Sequence, residues 1–342
     1  MKLIFLWSCI AFALSLIFTP IVKKFAIYIK AIDVPKDKRR VHLKPTPLLG
    51  GLAIYFSFML TVIIKAGNIS HAEVGILLGS TIIVIGGFLD DKFDLKPWQK
   101  LIFQSAATVC LIIFGVKIQL ITNPLFDNKQ YIDIGVLGIP LTFLWIIGIT
   151  NAINLIDGLD GLAAGVAFIA SATLFFVSIL NYRTEAAYLT AILCGSILGF
   201  LPYNFNPAKI FMGDTGAQLL GFLLASISIE GAIKSAAAFA IAVPILALGL
   251  PIYDTLFAMI RRKLNGKPIM QADRGHLHHR LLDMGLTQRQ TVIIMYLISA
   301  VLGAFAILAM KVSPQRSYFI LAVIMILLVL IAWKCGFFKH KE

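Results

Sequence analysis

Residues 136–180 read VLGIPLTFLWIIGITNAINLIDGLDGLAAGVAFIASATLFFVSIL, and they give the clearest indication of the fold. It contains two apolar runs, 136–153 and 162–180, joined by a short segment rich in Asn, Asp and Gly. Each run has the roughly 17–25 residues that a helix needs to cross a bilayer. Because backbone groups cannot remain unpaired in lipid, runs of this length predict membrane-spanning helices.

The same apolar pattern continues in both directions along the 342 residues, of which 59% are hydrophobic. The sequence predicts eleven spans: 3–22, 48–65, 73–89, 99–116, 136–153, 162–180, 186–202, 217–229, 236–258, 291–310 and 318–333. We therefore predict an all-α polytopic membrane protein, whose single integral-membrane domain covers residues 1–342. In the longest predicted outer loop, 117–135, alternating apolar and polar residues at 131–134 favour a small hairpin.

Basic residues predict the orientation of the chain in the membrane. One side of the predicted topology includes the loops 23–47 and 259–290 and the C-terminal tail, and it carries 22 of the 30 Lys and Arg residues. Cytoplasmic loops carry such an excess, so we place that side and the C-terminus in the cytoplasm and the N-terminus outside. The net charge of +13 then faces anionic lipid. Nucleic-acid binding is excluded because no soluble basic domain is present to carry it.

Three acidic residues, Asp90, Asp91 and Asp94, end the third predicted span on the cytoplasmic side. Adjacent carboxylates repel each other, and at a helix C-terminus they also oppose the helix dipole. A bound divalent cation would relieve both effects, which favours a functional site. A solvated helix end is the alternative interpretation, and the spacing also resembles the magnesium-diphosphate motif of prenyl-transferring enzymes.

A second polar cluster follows the fifth predicted span, with four residues at intervals of three: Asn151, Asn154, Asp157 and Asp160. Residues three apart lie close together on a helical surface. Glycines at 158, 161 and 165 allow a ligand to approach the backbone closely. The repeated spacing favours a binding site over an ordinary turn between two helices.

A third polar segment, residues 203–216 (YNFNPAKIFMGDTG), leads into the eighth predicted span. Asp214 is consistent with two roles at this stage, the N-cap of the following helix or an oxygen ligand for Mg²⁺. Phe205 and Phe211 are suited either to stacking on a base or to anchoring the chain at the membrane interface.

The two remaining clusters are basic. Residues 273–280, DRGHLHHR, do not match the usual zinc spacings, and His with Arg suits an anionic phosphate better; a solvated basic loop is the alternative. Residues 33–51 contain the basic run 38–44, followed by Pro-Thr-Pro at 45–47 and Gly-Gly at 50–51. A positive-inside stop sequence explains the charge, whereas the prolines and glycines predict a shaped loop that contacts phosphate.

Five stretches together resemble the polyprenyl-phosphate N-acetylhexosamine-1-phosphate transferases, a family that includes bacterial lipid-carrier enzymes of wall teichoic acid and O-antigen assembly. They are RVHLKPTPLLGG at 40–51, LDD at 89–91, NAINLIDGLDGL at 151–162, NPAKIFMGDTG at 206–216 and HLHH at 276–279. All five occur in the order of the family and on the predicted cytoplasmic side. A match of this extent is far more specific than any one motif.

The resemblance implies transfer of GlcNAc-1-phosphate from UDP-GlcNAc to undecaprenyl phosphate, which gives polyprenyl-diphospho-GlcNAc and UMP. It implies Mg²⁺ as the cofactor, with Mn²⁺ as the alternative, a homodimer, and a cytoplasmic active site in the bacterial plasma (inner) membrane. The His-Leu-His-His sequence before Arg280 resembles the UDP-GlcNAc branch, because the muramoyl-pentapeptide branch typically carries three consecutive His.

The resemblance also assigns roles to single residues. It implies six catalytic residues: Asp90, Asp91, Asp157, Asp160, His278 and His279. It implies six substrate-binding residues: Lys44, Asn154, Asn204, Phe211, His276 and Arg280. It implies that Asp214, together with Asp91, holds the metal ion, and that Asp160, Asn204 and Phe211 face the uracil.

Other functions are compatible with parts of the sequence. A phospho-MurNAc-pentapeptide transferase, or another UDP-N-acetylhexosamine branch, would keep the same chemistry. A membrane prenyltransferase would use the acidic motifs but leaves the Pro-Thr-Pro, Met-Gly-Asp and His motifs unexplained. A transporter would place polar residues near helix midpoints, whereas here the acids cluster at the predicted cytoplasmic ends.

Overall fold

The computed structural model describes residues 1–34, 45–65, 69–122, 131–233, 242–266, 275–312 and 314–334, together with residues 67 and 268. The helices in this part of the chain are α1 (Lys2–Tyr28), α2 (Gly51–Ile64), α3 (His71–Phe93), α4 (Pro97–Ile113), α5 (Gly138–Ile156), α6 (Leu162–Leu180), α7 (Thr184–Asn204), α8 (Gly213–Ser228), α9 (Ala242–Ala247), α10 (Gly249–Leu264), α11 (Leu277–Asp283), α12 (Gln288–Ala309) and α13 (Pro314–Lys334). A 3-10 turn (Gly135–Leu137) precedes α5, and a π-helical turn (Ile229–Ile233) extends α8.

Each of the eleven predicted spans overlaps at least one of these helices, and the span predicted at 162–180 coincides with α6. Six helical segments of the described chain are long and apolar enough to cross a membrane: Lys2–Tyr28, His71–Phe93, Gly135–Ile156, Leu162–Leu180, Thr184–Asn204 and Gln288–Ala309. The chain is therefore an all-α, multi-pass membrane protein.

The ninth predicted span, 236–258, is divided in the structure at Leu248, between α9 and α10. Pro251 lacks an N–H, and in a continuous helix its ring would clash with the carbonyl of Ala247. Pro251 instead occupies the first turn of α10, where its missing N–H has no intrahelical partner to lose. A second difference is α11, which forms within the loop predicted at 259–290.

Helix α8 is the central helix of the bundle. All of its residues from Thr215 to Ser228 are buried, and it packs against α2, α3, α5 and α6. A helix that is buried on every side has to be enclosed by other helices. Its first turn, which carries Asp214, is therefore surrounded by the ends of its neighbours.

Glycines let α2 and α3 approach the start of α8 closely. A Cβ atom on Gly51 would overlap the Cα of Gly216, and one on Gly87 would lie 2.5 Å from the Cα of Thr215. Small residues permit such close contacts between helices in membranes. The ends of three helices therefore meet beside Asp214.

Two short antiparallel hairpins complete the described fold. β1 (Ile32–Asp33) pairs with β2 (Thr46–Pro47), which places the Pro-Thr-Pro segment beside the end of α1. β3 (Leu120–Thr122) pairs with β4 (Tyr131–Asp133), so the hairpin predicted within 117–135 is confirmed. Lys44, predicted to bind substrate, lies outside the described residues.

Candidate active site

Two of the predicted motifs are joined by backbone hydrogen bonds. The N–H of Phe211 donates to the carbonyl of Pro47 at 2.8 Å. In return, the N–H groups of Gly50 and Gly51 donate at 2.9 Å to the carbonyls of residues 211 and 212. The Pro-Thr-Pro-x-x-Gly-Gly motif therefore supports the segment that leads into Asp214.

The carboxylate of Asp91, at the end of α3, caps the N-terminus of α8. Its Oδ1 accepts the N–H of Asp214 at 2.8 Å, and its Oδ2 accepts the N–H and the Oγ1 hydroxyl of Thr215 at 3.0 and 2.6 Å. The first N–H groups of a helix lack intrahelical partners, and an acceptor with negative charge satisfies them well. Because Met212, the N-cap of α8, makes no side-chain hydrogen bond, this cap comes entirely from another helix.

Asp214 does not cap its own helix, so of the two roles left open by the sequence the N-cap is wrong. Its Oδ2 lies 2.6 Å from Nζ of Lys100 on α4, and its Oδ1 accepts a hydrogen bond from Asn154 Nδ2 on α5 at 3.0 Å. Lys100 Nζ also lies 2.5 Å from Oδ2 of Asp90. We refer to Asp214, Asp90, Lys100 and Asn154 as the Asp214 cluster.

Lys100 is a residue of the site that the sequence analysis did not select. It lies in the first turn and a half of α4, where a cation opposes the helix dipole. This unfavourable position is the feature of the sequence that could have identified Lys100 as a site residue. The two carboxylates on α3 and α8 explain it, because they place negative charge on both sides of the ammonium group.

A second layer of polar side chains lies about one helical turn further into the bundle. It consists of Gln104 on α4, Asn151 on α5 and Gln218 on α8, each three or four residues from the Asp214 cluster. Gln104 Nε2 donates to Asn151 Oδ1 at 3.3 Å and to Gln218 Oε1 at 3.1 Å, and Asn151 Nδ2 donates to Gln104 Oε1 at 2.8 Å. This amide layer links three of the four helices that carry the cluster, α4, α5 and α8.

The Asp214 cluster borders a cavity of about 350 Å³. Seven of the predicted site residues line it: Asp91, Asp157, Asp160, Asn204, Phe211, Asp214 and His279. Asp33, Gly213 and Gln288 are among the other lining residues. The predicted residues Asp90, Asn154, His276, His278 and Arg280 are not among the lining residues. Because five of the lining residues are Asp, the cavity is strongly acidic.

Gly213 forms part of the cavity wall in a left-handed conformation, with φ of 71°. Side chains other than glycine rarely adopt this conformation. A Cβ atom at this position would also lie 2.5 Å from Oδ2 of Asp91. Glycine is therefore required both for the backbone and for the cap on α8.

Asp157 terminates α5 and faces three other carboxylates. Removal from bulk water, together with the nearby negative charges of Asp214, Asp91 and Asp160, raises the pKa of Asp157 to about 8. Helix α5 ends at Ile156, so Asp157 and Asp160 belong to a turn rather than to a continuous helical face. Asp157 and Asp160 are therefore brought close together by the turn and not by one face of a helix.

Asp160 ties this turn to the segment after α7. Its Oδ2 accepts hydrogen bonds from Asn206 Nδ2 and from the N–H of Ala208, both at 3.0 Å. Asn206 Nδ2 also lies 2.6 Å from Oε1 of Gln288, at the start of α12. Gln288 had no distinguishing sequence signal, because its contact is with a residue 82 positions away.

The His motif is anchored to α10. His276 Nδ1 lies 2.8 Å from Asp254 Oδ2, and the N–H of Leu277 donates to Asp254 Oδ1 at 2.8 Å. The ring of His278 is stacked on His276, with an interplanar angle of 9° and 5.9 Å between centroids. His279 follows, with its centroid 4.1 Å from that of His278, and it reaches the cavity.

His278 itself is enclosed. It is 1% exposed, and neither ring nitrogen has a hydrogen-bond partner among the described residues. Burial lowers the pKa of His278 to about 3, and the neighbouring His279 contributes in the same direction. A Cβ atom on Gly158 would lie 2.5 Å from His278 Nε2, so this glycine allows α11 to pack on the turn after α5.

The donor set suits a magnesium ion. Asp91, Asp157 and Asp214 present carboxylate oxygens, the hard ligands that Mg²⁺ prefers, at one cavity. The ammonium group of Lys100 offsets only part of this negative charge. Among the described residues, no three His, Cys, Asp or Glu side chains lie in a metal-binding geometry. Asp214 Oδ2 already contacts Lys100 Nζ, so the Asp214 carboxylate would have to bind both Lys100 and the ion.

A multi-pass helical bundle with this cavity at the ends of its helices defines an integral-membrane enzyme. The sequence pattern of glycosyl transferase family 4 matches residues 73–232. A probable undecaprenyl-phosphate N-acetylglucosaminyl 1-phosphate transferase of Bacillus subtilis (strain 168) is 40% identical over 336 residues, which cover 97% of this chain and 93% of that protein.

Two more distant relatives match over similar lengths. The decaprenyl-phosphate N-acetylglucosaminephosphotransferase of Mycolicibacterium smegmatis is 31% identical over 337 residues, 91% of this chain and 83% of that protein. The undecaprenyl-phosphate alpha-N-acetylglucosaminyl 1-phosphate transferase of Escherichia coli (strain K12) is 27% identical over 326 residues, 94% of this chain and 87% of that protein. The chain belongs to glycosyl transferase family 4, which confirms the family that its motifs resemble.

Proposed function

We infer that the protein transfers GlcNAc-1-phosphate from UDP-GlcNAc to undecaprenyl phosphate or a similar polyprenyl phosphate, releasing UMP. One observation carries this function. Acidic residues from three separate motifs line a single cavity, in a chain that aligns over nearly its whole length with a relative named for this activity. The product, a polyprenyl-diphospho-GlcNAc, would initiate synthesis of a cell-envelope polysaccharide such as teichoic acid or O-antigen.

In the proposed reaction, an oxygen of the lipid phosphate attacks the phosphorus that carries the sugar, and the bond from that phosphorus to UMP breaks. Both substrates are anionic, so the enzyme has to neutralise charge and align the groups. Mg²⁺, held by Asp214 with Asp91 and Asp157, would polarise the reacting phosphate and stabilise the leaving UMP. Lys100 orients the Asp214 carboxylate and contributes fixed positive charge.

A general base is not essential to this chemistry. A phosphate monoester has a second pKa near 6, so much of the lipid phosphate is already dianionic at pH 7. Both oxygens of Asp91 accept hydrogen bonds from α8, and Asp90 is 5% exposed beside Lys100. These contacts make either residue poorly available as a nucleophile and favour direct transfer over a phospho-aspartate intermediate.

The surroundings of Asn204 and Phe211 support binding of the uracil at this wall of the cavity. Asn204 Nδ2 donates to the carbonyl of Ile210 at 3.1 Å, whereas its Oδ1 is buried without a hydrogen-bond partner in the described part of the chain. A buried acceptor without a partner is costly, and the N3–H of uracil would supply the missing donor. The ring of Phe211, on the same cavity wall, offers a surface for stacking.

The proposal includes the membrane topology. It places eleven spans in one integral-membrane domain, residues 1–342, with the N-terminus outside and the C-terminus in the cytoplasm of the bacterial plasma membrane. The site residues belong to motifs on the side of the predicted topology that carries 22 of the 30 Lys and Arg residues, and the positive-inside rule assigns that side to the cytoplasm. UDP-sugars are cytoplasmic metabolites, so the donor would reach the cavity directly. A homodimer remains a prediction.

Transfer of label would test the function. Purified protein is incubated with sugar-labelled UDP-GlcNAc and undecaprenyl phosphate, with Mg²⁺ or with EDTA, and the extracted lipid and released UMP are measured. Mg²⁺-dependent labelling is expected from the wild type and from Asp133→Asn, a hairpin variant remote from the motifs, but not from Asp214→Asn. If label enters the lipid only from UDP-MurNAc-pentapeptide, that compound is the donor and the assignment of UDP-GlcNAc is wrong. If neither donor labels the lipid, the proposed function is refuted.

A further inference from the structure

Asp254 lies on α10, outside the five motifs of the sequence analysis, and it makes two hydrogen bonds to the His motif. Its side chain is buried, with 6% exposure. One oxygen faces His276 Nδ1 and the other accepts the N–H of Leu277, both at 2.8 Å. A single carboxylate therefore holds both the ring of His276 and the first backbone N–H of α11.

Both partners of Asp254 are donors, which explains why the residue is an acid. An Asn at this position could accept a hydrogen bond from Leu277, but its amide group would then point an N–H towards His276. A buried carboxylate is costly unless its charge is used. Here the charge of Asp254 is used to accept two hydrogen bonds, one from the backbone of Leu277 and one from the ring of His276.

The carboxylate also determines which nitrogen of His276 carries the proton. Facing Asp254 Oδ2, Nδ1 has to be protonated, so neutral His276 presents an unprotonated Nε2. Asn would reverse this arrangement, because its N–H would donate to Nδ1 and move the proton to Nε2. A carboxylate that orients a functional imidazole in this way is a frequent device in enzymes.

The effect of Asp254 reaches the cavity through the stacked rings. The planes of His276 and His278 are nearly parallel, and His278 is in contact with His279, which lines the cavity. His278 is 1% exposed, so its ring is enclosed between its neighbours. The three rings therefore form a continuous series from Asp254 to the cavity.

We propose that Asp254 is a positioning residue for the transfer reaction, which sets the orientation and tautomer of His276 and, through it, the position of His279 in the cavity. This inference rests on the proposed function. Asp254 itself does not line the cavity, so it acts on the reacting groups only through the His motif.

A double-mutant cycle tests this role. Asp254→Asn, His276→Gln and the double variant are compared with the wild type for kcat, KM for UDP-GlcNAc and thermal midpoint in detergent. Asp254→Asn is expected to lower kcat by about 10- to 100-fold, the range for residues that orient a functional His, while KM changes little. Because Asp254 acts through His276, the double variant should be no slower than the slower single variant.

Several results would overturn the proposal. They are normal kcat in Asp254→Asn, multiplied losses in the double variant, or a loss confined to KM. If Asp254→Asn does not fold, His276→Gln alone decides, because it removes the partner without changing α10; a normal kcat would then refute the role. Asp133→Asn, with the same change of chemistry in the β3–β4 hairpin, should match the wild type. A wild type without transfer activity would refute the proposed function instead.

Discussion

The Asp91 carboxylate on α3 lies 2.8 Å from the backbone nitrogen of Asp214 on α8, 123 residues away in the chain. The same carboxylate binds the N–H and hydroxyl groups of the next residue, so the acidic end of one helix is the cap of another. The repulsion expected between adjacent acids is avoided because Asp90 and Asp91 face different partners. Asp90 faces Lys100, and Asp91 faces α8.

Replacing Asp91 should damage both stability and activity. Asp91→Asn substitutes an N–H for one of the two acceptor oxygens, and that N–H would face the donors of Thr215. We expect a loss of about 1 kcal/mol of folding free energy, typical of a lost helix cap, and a fall in transfer rate on the order of 100-fold. Thr215→Val removes only the 2.6 Å hydroxyl contact and should be clearly milder. Equal transfer rates for the two variants would contradict the capping role.

Transfer should require both the positive charge and the compact ammonium group of Lys100. Lys100→Met leaves Asp90 and Asp214 without the cation between them, and transfer is expected to fall on the order of 100-fold or more. Lys100→Arg keeps the charge but not the compact ammonium group, so it should restore only part of the rate. Lys96→Met, an exposed change at the N-cap position that precedes the same helix, is the matched control and should leave transfer normal.

The apparent affinity for Mg²⁺ should increase with pH. Asp157 has a pKa of about 8 in the metal-free protein, so near pH 7 it is largely protonated and has to release a proton before it can bind a cation. Below the pKa, affinity should rise by up to about tenfold per pH unit, and it should level off above pH 8. Measurements of transfer against Mg²⁺ concentration at pH 6, 7 and 8 test this. Asp157→Asn should bind Mg²⁺ more weakly and show a smaller pH dependence.

Acid should destabilise the protein through His278. The unfolded chain binds a proton on this residue below its usual pKa of about 6.5, whereas the folded protein resists protonation down to about pH 3. The stability contributed by neutral His278 is therefore complete above pH 6.5 and decreases as pH falls from there towards 3. His278→Phe should show a smaller drop in thermal midpoint between pH 7.5 and pH 5 than the wild type. An equal drop would show that other groups dominate.

The amide layer should align the Asp214 cluster. Gln104→Leu removes the central residue of the Gln104, Asn151 and Gln218 network while keeping a side chain of similar bulk. The loss leaves buried amides unpaired, so we expect a destabilisation of about 1–3 kcal/mol and a weaker apparent affinity for Mg²⁺. Thr108→Val, one turn further along α4 and also buried, is the control. It should alter stability without altering the Mg²⁺ dependence of transfer.

The helices were predictable because lipid imposes a simple rule on the chain. The apolar run 162–180 became α6 without a change of boundary, since its limits are set by local sequence alone. The start of α8 was predicted at 217 but occurs at Gly213, because the cap that permits the extra turn comes from Asp91 on another helix. Boundaries fixed by distant side chains leave no trace in the local pattern.

The site was predictable in part for a similar reason. Acidic motifs such as the one containing Asp157 stand out because carboxylates are costly at membrane helix ends. Lys100 and Asp254 were not selected as site residues, since a single Lys or Asp near a helix end has ordinary explanations and their partners are remote. Lys100 and Asp214 are 114 positions apart, and the contact becomes visible only when α4, α5 and α8 are packed together.

Gly213 has a consequence for inhibition of this enzyme. An inhibitor that rests against the cavity wall at Gly213 would contact backbone that cannot acquire a side chain, because any substitution there strains the main chain and displaces Asp91. Resistance by mutation of that contact would also cost the cell the activity it needs to preserve. A compound built around this wall would therefore leave escape mutations only at other contact positions.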